Sequence, residues 1–229
     1  MKNKKITILL LILLTTISNI YCQLSSKTEF FNAARDHLSY PMKKGTIDYE
    51  KITKTSNLRY LFVSYKKAYI SNSKKVSYLR YNIFADAMEF VKDDEIYNLN
   101  KTENQIIDFF VEKKKYGVFN FEGEKTYFQI KHSGKNSILI KQIVEFDKGK
   151  KAVSQFDVEV NPKFFRKKDK VYIAFDNKNL KEIPKRKKAF YKIFNDKAAA
   201  IKKYMKLNKL THKENDDLVL VLNYFNSLK

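Results

Sequence analysis

Apolar and polar side chains alternate along much of this chain between about residues 58 and 175. The stretch YLRYNIFADAMEF (Tyr78–Phe90) shows the pattern well, because Leu79, Tyr81, Ile83 and Ala85 fall on one side of an extended chain. Successive side chains of a β-strand point to opposite faces of the sheet. The period of two therefore predicts strands through the middle of the protein.

Two carboxyl groups, those of Asp86 and Glu89, lie within this apolar stretch. Paired carboxyl groups act as general acid and base when one of them is buried enough to stay protonated. The alternation, however, stops at Asp86 and Ala87 and resumes with Met88 and Phe90, and aspartate is favoured in turns because its side chain bonds to nearby backbone. We therefore interpret Asp86 as a solvated turn residue, and we expect Glu89 to point away from Met88 and Phe90.

Other segments carry the same period. LRYLFVSYKKAYI (Leu58–Ile70) predicts one long strand or two, and FVEKKKYGVFNF (Phe110–Phe121) predicts a pair of strands. The segment from Thr126 to Phe146 predicts a hairpin, because the glycine-containing turn Ser133–Lys135 separates two alternating arms. KVYIAF (Lys170–Phe175) adds another strand.

The C-terminal residues change to a helical period. Asp196 is placed to cap a helix that carries Ile201 and Met205 and ends near Asn208. A second helix is predicted behind THKE (Thr211–Glu214), whose threonine and glutamate form a capping-box pattern. It carries an apolar stripe at i, i+3, i+4 and i+7, formed by Leu218, Val221, Leu222 and Phe225.

Strands first and helices last predict the α+β class, here a largely antiparallel sheet or meander with two C-terminal helices. A short helix is also expected over Lys27–Leu38. No Gly/Ser-rich or Pro-rich linker marks a domain boundary. We therefore divide the chain into a signal peptide (1–22), an N-terminal helical segment (23–45), an antiparallel β domain (46–183) and C-terminal helices packed on the same domain (184–229).

The first residues have the layout of a secretory signal peptide, in which three lysines precede an uncharged apolar run from Ile6 to about Ile17. That run is shorter than the ~20 residues of a membrane-spanning helix, so we expect an exported protein, periplasmic or secreted, without a transmembrane segment. Cys22 is the one cysteine, which excludes an internal disulfide. Acylation of Cys22 would anchor a lipoprotein, but Tyr21 replaces the small residue that normally precedes such a cysteine, which favours cleavage beside Cys22.

The formal net charge is +21, and it falls to +18 when the three lysines of residues 1–22 are removed. A strongly basic protein attracts polyanions such as nucleic acid, acidic glycans or anionic lipid surfaces. Arginine, the preferred residue for bidentate phosphate recognition, accounts for only 5 of the 46 basic residues. Together with export, this disfavours a nucleic-acid partner. Biased codon usage is the alternative explanation for so many lysines.

Four blocks follow one another in the order YLRYNIFADAMEF, FQIKHSGKNSILIKQIVEF, FRKKDKVYIAF and FNDKAAAIKKYMKLNKLTHKENDDLVLVLNYFNSL. As an ordered set spanning Val76–Leu228, they resemble a family of exported proteins of Bacteroidota-type bacteria that has no known activity. The resemblance implies a bacterial envelope location and a shared fold, and it supplies no cofactor or catalytic residue. Members tend to have an acidic residue after the turn aspartate, where this chain has Ala87. That departure weakens a catalytic role for Asp86.

The motifs of known catalytic sites are missing. His37, His132 and His212 show none of the H-x-H, H-x-x-x-H or HExxH spacings of zinc sites. No G-x-S-x-G elbow nominates a serine nucleophile, and Cys22 would be removed or acylated. With no Walker loop, no GxGxxG and only 5 glycines, backbone cradles for phosphate are not indicated. We predict no metal, no cofactor and no catalytic residue that the sequence identifies.

Two basic runs are the strongest candidates for a binding site. They supply Lys163, Arg166, Lys167 and Lys168 from KFFRKK, and Lys185, Arg186, Lys187 and Lys188 from PKRKKAFYK. Four aromatic residues interleave with these charges, namely Phe164, Phe165, Phe190 and Tyr191. Such a pattern binds an anionic glycan or lipid headgroup by stacking and ion pairing. In the alternative, the aromatic rings fill the core and the lysines keep the surface soluble.

The sequence thus favours a non-enzymatic, exported envelope protein that acts by binding or as a structural module. Its partner would be an unknown protein or an anionic envelope polymer, with peripheral membrane contact as a further route. Two alternatives stay open, a binder of anionic glycan or lipid headgroups through the basic runs and a hydrolase assembled from distant residues. Basic runs on one face would favour the binder, whereas a deep pocket with His132 or His37 beside a carboxylate would favour the hydrolase.

Overall fold

Twelve β-strands and three α-helices build the part of the chain that the computed structural model describes, residues 56–228 without 153 and 155. The strands are β1 (Lys66–Ile70), β2 (Lys75–Asn82), β3 (Ala87–Lys92), β4 (Glu95–Asn98), β5 (Ile106–Phe109), β6 (Lys114–Phe121), β7 (Glu124–His132), β8 (Ser137–Lys141), β9 (Val144–Asp147), β10 (Lys163–Arg166), β11 (Lys170–Phe175) and β12 (Asn179–Glu182). The helices are α1 (Lys187–Lys192), α2 (Ala198–Leu207) and α3 (Asn215–Ser227). Short 3-10 turns cover Ser56–Arg59 and Asn195–Lys197.

Ten of the strands form one sheet, in the order β12-β11-β8-β7-β6-β5-β1-β2-β3-β4. Every neighbouring pair in this sheet is antiparallel. Strands β9 and β10 form a separate antiparallel pair. The predicted α+β class, with a largely antiparallel sheet followed by helices, is confirmed.

The turns of two hairpins explain how neighbouring strands keep their register. Asp93 and Asp94 join β3 to β4 with φ values of 51° and 60°, and Glu122 and Gly123 join β6 to β7 with values of 53° and 88°. Two-residue turns with both residues in the left-handed region match the twist of antiparallel strands. Aspartate and glycine tolerate this conformation better than most residues do.

The three helices cover one part of the sheet with an apolar layer. Their buried side chains pack with Ile138 of β8 and Ile173 of β11 in one hydrophobic cluster. The predicted stripe of the last helix lies in this layer, with Leu218, Val221 and Leu222 buried and Phe225 partly buried. Both predicted C-terminal helices are present, and α1 is a third, short helix that the sequence analysis did not anticipate.

The caps of the two long helices differ from those predicted. Asp196 lies in the 3-10 turn before α2, and neither α2 nor α3 has a side-chain cap hydrogen bond at its first residue. The predicted capping box of Thr211 and Glu214 is wrong, because the backbone N–H of Thr211 donates to Asp217 Oδ2 at 2.8 Å. Helix α3 therefore begins one turn later than the motif implies.

Three of the predicted strand segments are also wrong in part. Only Lys66–Ile70 of the 58–70 segment is a strand, since the chain before it forms a 3-10 turn and irregular structure. The 110–121 segment contains the single strand β6, whose partner β5 lies earlier, at Ile106–Phe109. The strand β11 agrees with prediction. The strands β7 and β8 form the predicted hairpin, but its second arm ends at Lys141, and Val144–Asp147 is the separate strand β9, which pairs with β10. The predicted helix over Lys27–Leu38 lies outside the described residues.

Three tyrosines form a cluster inside the sheet. The ring of Tyr81 contacts those of Tyr116 and Tyr127, with centroids 5.0 and 5.8 Å away. The Tyr127 hydroxyl donates to Gln105 Oε1 at 3.1 Å, and all three side chains are almost fully buried. Burial raises the pKa of each of the three tyrosines well above the ordinary value of 10.0.

These buried tyrosines predict a loss of stability in alkali. In the unfolded chain they ionise near pH 10, whereas the folded protein keeps them protonated, so the stabilisation is complete below pH 10 and is lost as the pH rises above it. Each such tyrosine is expected to cost about 1.4 kcal/mol per pH unit in that range. Urea unfolding at several pH values, with tyrosinate absorbance as a second signal, measures the slope. Tyr127→Phe should reduce this slope by the contribution of one proton, about 1.4 kcal/mol per pH unit. A free energy of unfolding that stays constant above pH 10 would contradict the prediction.

Candidate functional site

A cleft of about 510 Å³ lies where β11 begins and β12 ends, next to the residues that precede α3. Four lysines line it, namely Lys168, Lys170, Lys185 and Lys213. We call it the basic cleft. Its volume is in the range of small-molecule binding sites. Its apolar wall consists of Val171, Ile183, Pro184 and Leu218.

The lysines outnumber the carboxylates in the basic cleft. Asp169 and Glu182 also line it, and Lys170 Nζ lies 3.1 Å from Glu182 Oε2. Lys168, Lys185 and Lys213 are exposed and have no carboxylate partner among residues 56–228 as described. Three ammonium groups that face one concave surface without internal partners create a positive potential that attracts an anion.

His212 joins the two chain segments that carry the outer lysines. It is buried, and its Nε2 lies 3.0 Å from the carbonyl oxygen of Lys185. Because a carbonyl oxygen only accepts, Nε2 carries the hydrogen and donates it. The imidazole ring also packs on Phe190, with ring centroids 5.1 Å apart. His212 thereby fixes the backbone at Lys185 next to that of Lys213.

Asp169 and Glu182 have unlike surroundings within the cleft. Desolvation raises the pKa of Asp169 above its ordinary value of 3.8, while Arg166 and Lys114 oppose that rise. Glu182 accepts from Lys170 and, at 3.4 Å, from the hydroxyl of Tyr172. Desolvation thus raises the pKa of the Asp169 carboxyl group, whereas two donors hold that of Glu182.

The predicted basic residues converge only in part. Lys168 and Lys185 line the basic cleft, but the other six predicted residues do not. Arg166 donates to the carbonyl oxygen of Tyr60, and Lys167 pairs with Glu145 at 3.5 Å on the surface. Lys163 is exposed on β10, Arg186 precedes α1, and Lys187 and Lys188 are exposed in its first turn.

The aromatic residues of the basic runs mostly serve the core. Phe164 and Phe190 are buried, so they are not available to stack on a ligand. Phe165 and Tyr191 are half-buried. The predicted pairing of stacking rings with cations in these two runs is therefore wrong for Phe164 and Phe190, and the alternative, in which aromatic rings fill the core, describes them correctly.

Asp86 lies in a turn, as predicted, but the turn covers residues 83–86, so Ile83 and Ala85 are not in a strand and Ala87 begins β3. The predicted solvation of Asp86 is wrong. Asp86 has a φ of 50° between β2 and β3. Its carboxylate accepts from Tyr81 Oη at 2.6 Å, from Lys101 Nζ at 2.5 Å and from Lys141 Nζ at 3.3 Å. It also accepts from the backbone N–H of Tyr127 at 3.2 Å. Asp86 is thus the centre of a polar cluster that links the β2–β3 turn to β7 and β8.

Glu89 does lie on the opposite face of β3 from Met88, as strand geometry requires, but that face is also buried. Arg80 donates to Glu89 Oε2 from Nη2 at 2.7 Å and from Nε at 3.1 Å. Asn82 Nδ2 donates to Oε1 at 2.7 Å. The guanidinium group of Arg80 lies over the ring of Tyr60, 3.8 Å from its centroid. Neither Asp86 nor Glu89 lines the basic cleft, and their partners explain both as structural residues.

Lys170 and Lys213 belong to the site but were missed. Lys170 begins β11, whose sequence signal is its apolar alternation, and Lys213 lies inside the capping-box pattern Thr211–Glu214. His212 lacks the spacing of a zinc ligand, and nothing in the sequence indicates its contact with the carbonyl oxygen of Lys185. The one available signal was the pair of lysines on either side of Asp169, which continues the first basic run into β11.

The described residues contain no group of three or more metal-binding side chains, and His132 lies at the end of β7 away from the basic cleft. His37 and Cys22 lie outside the part that the structure describes. Among the described helices, none is long and apolar enough to cross a membrane. No protein-family model, curated protein or solved structure matches this chain.

Proposed function

We propose that this chain is an exported, non-catalytic binding protein of the bacterial envelope, and that it holds anionic groups of an envelope polymer in the basic cleft. One observation carries the proposal: the fold brings Lys168 of the first basic run and Lys185 of the second to the same concave surface, together with Lys213. The envelope location rests on the N-terminal sequence and on the family resemblance.

The construction of the cleft supports binding of an anion. His212 and the Thr211–Asp217 hydrogen bond fix the backbone that presents Lys185 and Lys213, so less freedom is lost when a ligand binds. The apolar wall excludes water from one side of the cleft, which strengthens the attraction between an ammonium group and an anion. An acidic glycan and a lipid headgroup both offer suitable carboxylate, sulfate or phosphate groups.

The proposal predicts that Lys185→Gln combined with Lys213→Gln weakens binding to heparin resin. Each lysine near an anionic surface contributes about 1 kcal/mol, so the affinity should fall roughly tenfold or more at low salt. The measurement is the salt concentration at which the full-length protein elutes, because a weaker ion-pair contact is displaced by less salt.

The matched control is Lys202→Gln combined with Lys203→Gln, which removes the same charge from exposed positions of α2. Equal elution of the two double variants would show that net charge alone causes the retention, and the proposal would fail. Vesicles of phosphatidylglycerol and of phosphatidylcholine distinguish the two sources of anion. Cleft-dependent binding to the resin alone identifies a glycan, and cleft-dependent binding to the anionic vesicles alone identifies a headgroup.

A second candidate function, glycoside hydrolysis, is favoured by the unlike carboxyl groups of Asp169 and Glu182 in the same cleft. A carboxyl group with a raised pKa suits a general acid, and Glu182, which accepts from Lys170 and Tyr172, is its candidate partner. Hydrolysis would release reducing ends from an acidic polysaccharide, and Asp169→Asn would abolish the release. Binding without any release would support the non-catalytic proposal.

A further inference from the structure

One face of the strands β1–β4 carries a continuous row of apolar side chains. Tyr69 of β1 lies opposite Val76 of β2, and Val91 of β3 lies opposite Ile96 of β4. Continuing the register between β2 and β3 by two residues places Tyr78 beside Val91. Residues two apart in a strand share a face, so these five side chains form one surface. We call it the outer patch.

The outer patch is exposed, whereas the opposite face of the same strands is covered. On that opposite face, Leu79 and Met88 are buried in one cluster with Val144 of β9 and Phe164 of β10. The five side chains of the outer patch are between 36% and 58% exposed. Apolar residues that are exposed singly are common, but a contiguous apolar patch marks an interaction surface.

Opposite charges lie at the two sides of the outer patch. Lys74 lies in the β1–β2 turn, and Asp93 and Asp94 form the β3–β4 turn at the same end of the sheet. All three are exposed, and none of them has an ion-pair partner within the described residues 56–228. The surface therefore has one basic side and one acidic side.

Such a surface is complementary to itself. A two-fold axis parallel to the strands, between β2 and β3, places two copies face to face, with β1 and β2 of one copy over β3 and β4 of the other. Both pairs of turns stay at the same end, so Lys74 of each copy lies opposite Asp93 and Asp94 of its partner. Tyr78 of each copy meets Val91 of the other at the centre. Two sheets packed with their strands nearly aligned are a common arrangement.

We infer that the outer patch binds a second copy of this chain and forms a symmetric dimer. The patch spans four strands, roughly 15–20 Å, which is at the small end of specific interfaces and predicts a weak dimer. The basic cleft lies at β11 and β12, the opposite edge of the sheet, so the dimer leaves both clefts open. Two clefts on one dimer would bind a long polyanion more tightly than a single cleft does.

The first test is analytical ultracentrifugation of the full-length protein at rising concentrations, which is expected to show a reversible equilibrium between monomer and dimer. Val91→Thr keeps a β-branched side chain but brings a hydroxyl group into the contact, and the symmetry introduces it twice. The dissociation constant of the dimer should rise about tenfold. The matched control, Val158→Thr, lies at an 80% exposed position between β9 and β10 and should leave the equilibrium unchanged.

A charge exchange tests the orientation of the two copies. Lys74→Asp should weaken the dimer because two acidic turns then face each other, and Asp94→Lys should weaken it by placing a lysine opposite Lys74. An equimolar mixture of these two variants should form a heterodimer, since opposite charges then meet at both contacts. The control, Lys113→Asp, makes the same change at an exposed turn residue with the same φ of 52° and should not weaken the dimer.

Three results would overturn the inference. A protein that stays monomeric at every concentration would leave the outer patch to a different partner. An association that Val91→Thr does not weaken would place the contact elsewhere on the surface. A mixture of the two charge variants that stays monomeric would exclude the two-fold arrangement. No ligand of the basic cleft is present in these measurements, so the proposed function is tested separately.

Discussion

Replacing Glu89 by alanine is expected to lower the free energy of unfolding by about 3–5 kcal/mol, the usual cost of leaving one partner of a buried ion pair without the other. Glu89 is 1% exposed, and both of its carboxylate oxygens accept hydrogen bonds from β2. Its removal would leave the largely buried Arg80 guanidinium against the rings of Tyr60 and Tyr65 without its carboxylate partner. Urea unfolding followed by circular dichroism measures the loss.

The matched control for this substitution is Glu145→Ala. Glu145 pairs with Lys167 at 3.5 Å, but each side chain is 49% exposed, so the expected loss is below about 1 kcal/mol. Combining Glu89→Leu with Arg80→Met should restore part of the stability, because two apolar groups need no compensating charge. If the free energy of unfolding of Glu89→Ala lies within about 1 kcal/mol of that of the unchanged protein, the ion pair of Arg80 and Glu89 does not stabilise the β2–β3 hairpin.

Glu89 also shows where a period of two stops being informative. Alternation places Glu89 and Arg80 on the face opposite to Leu79 and Met88. If that face of the sheet were exposed to solvent, Glu89 and Arg80 would be solvated. The chain before β1 instead covers that face, because Tyr60 and Tyr65 pack on Arg80. The alternation predicts a strand over this covering segment, which instead forms a 3-10 turn and irregular structure. The same difference therefore accounts for the missing strand and for the burial of Glu89.

The strands that were predicted well are those whose pattern and turn agree. The β7–β8 hairpin has two alternating arms and a glycine in its turn, and the two strands pair as expected apart from an irregularity in register between Ile130 and His132. The strand β5 was missed because four residues, IIDF, are too few to show a period. Pairing of β1 with β5, which brings residues 69 and 108 together, is a tertiary property that no local pattern records.

The binding site was predicted less well than the fold for a related reason. Runs of lysine show where positive charge is dense in the sequence, but a cleft depends on where separate segments meet. Lys168 and Lys185 meet because Lys170–Phe175 and Asn179–Glu182 form a hairpin that brings its two ends together. Lys213 joins them through the contact of His212 with Lys185. Neither relation is visible from the composition of the runs.

Replacing Asp86 by alanine is expected to lower the free energy of unfolding by about 3–5 kcal/mol, because four donors lose a shared acceptor. The carboxylate is 20% exposed and holds Lys101, Lys141, the Tyr81 hydroxyl and the backbone N–H of Tyr127. The Tyr127 N–H needs this acceptor, since β8 ends at Lys141 and leaves that edge of β7 unpaired. Alanine also tolerates the φ of 50° poorly, which contributes to the loss.

Asp86→Asn separates the effect of losing the carboxylate from the effect of backbone strain, because asparagine tolerates a left-handed φ. Asp86→Asn should lose about 2–3 kcal/mol, whereas Asp93→Asn, at an exposed turn residue with a φ of 51°, should lose less than about 0.5 kcal/mol. Equal losses at the two positions would show that Asp86 acts only as a turn residue, as the sequence indicated.

The pH dependence of the Asp86→Asn loss provides a second readout. Desolvation lowers the pKa of Lys141 below 10.5, and Asp86 opposes that change, so the variant should lower the pKa further. Between the lowered pKa and 10.5 the unfolded chain binds more protons than the folded one, and stability therefore rises with pH. The deficit of Asp86→Asn should shrink as the pH increases from neutrality toward the range in which tyrosines ionise. A deficit that stays constant over this range would show that the contact between Asp86 and Lys141 does not stabilise the fold.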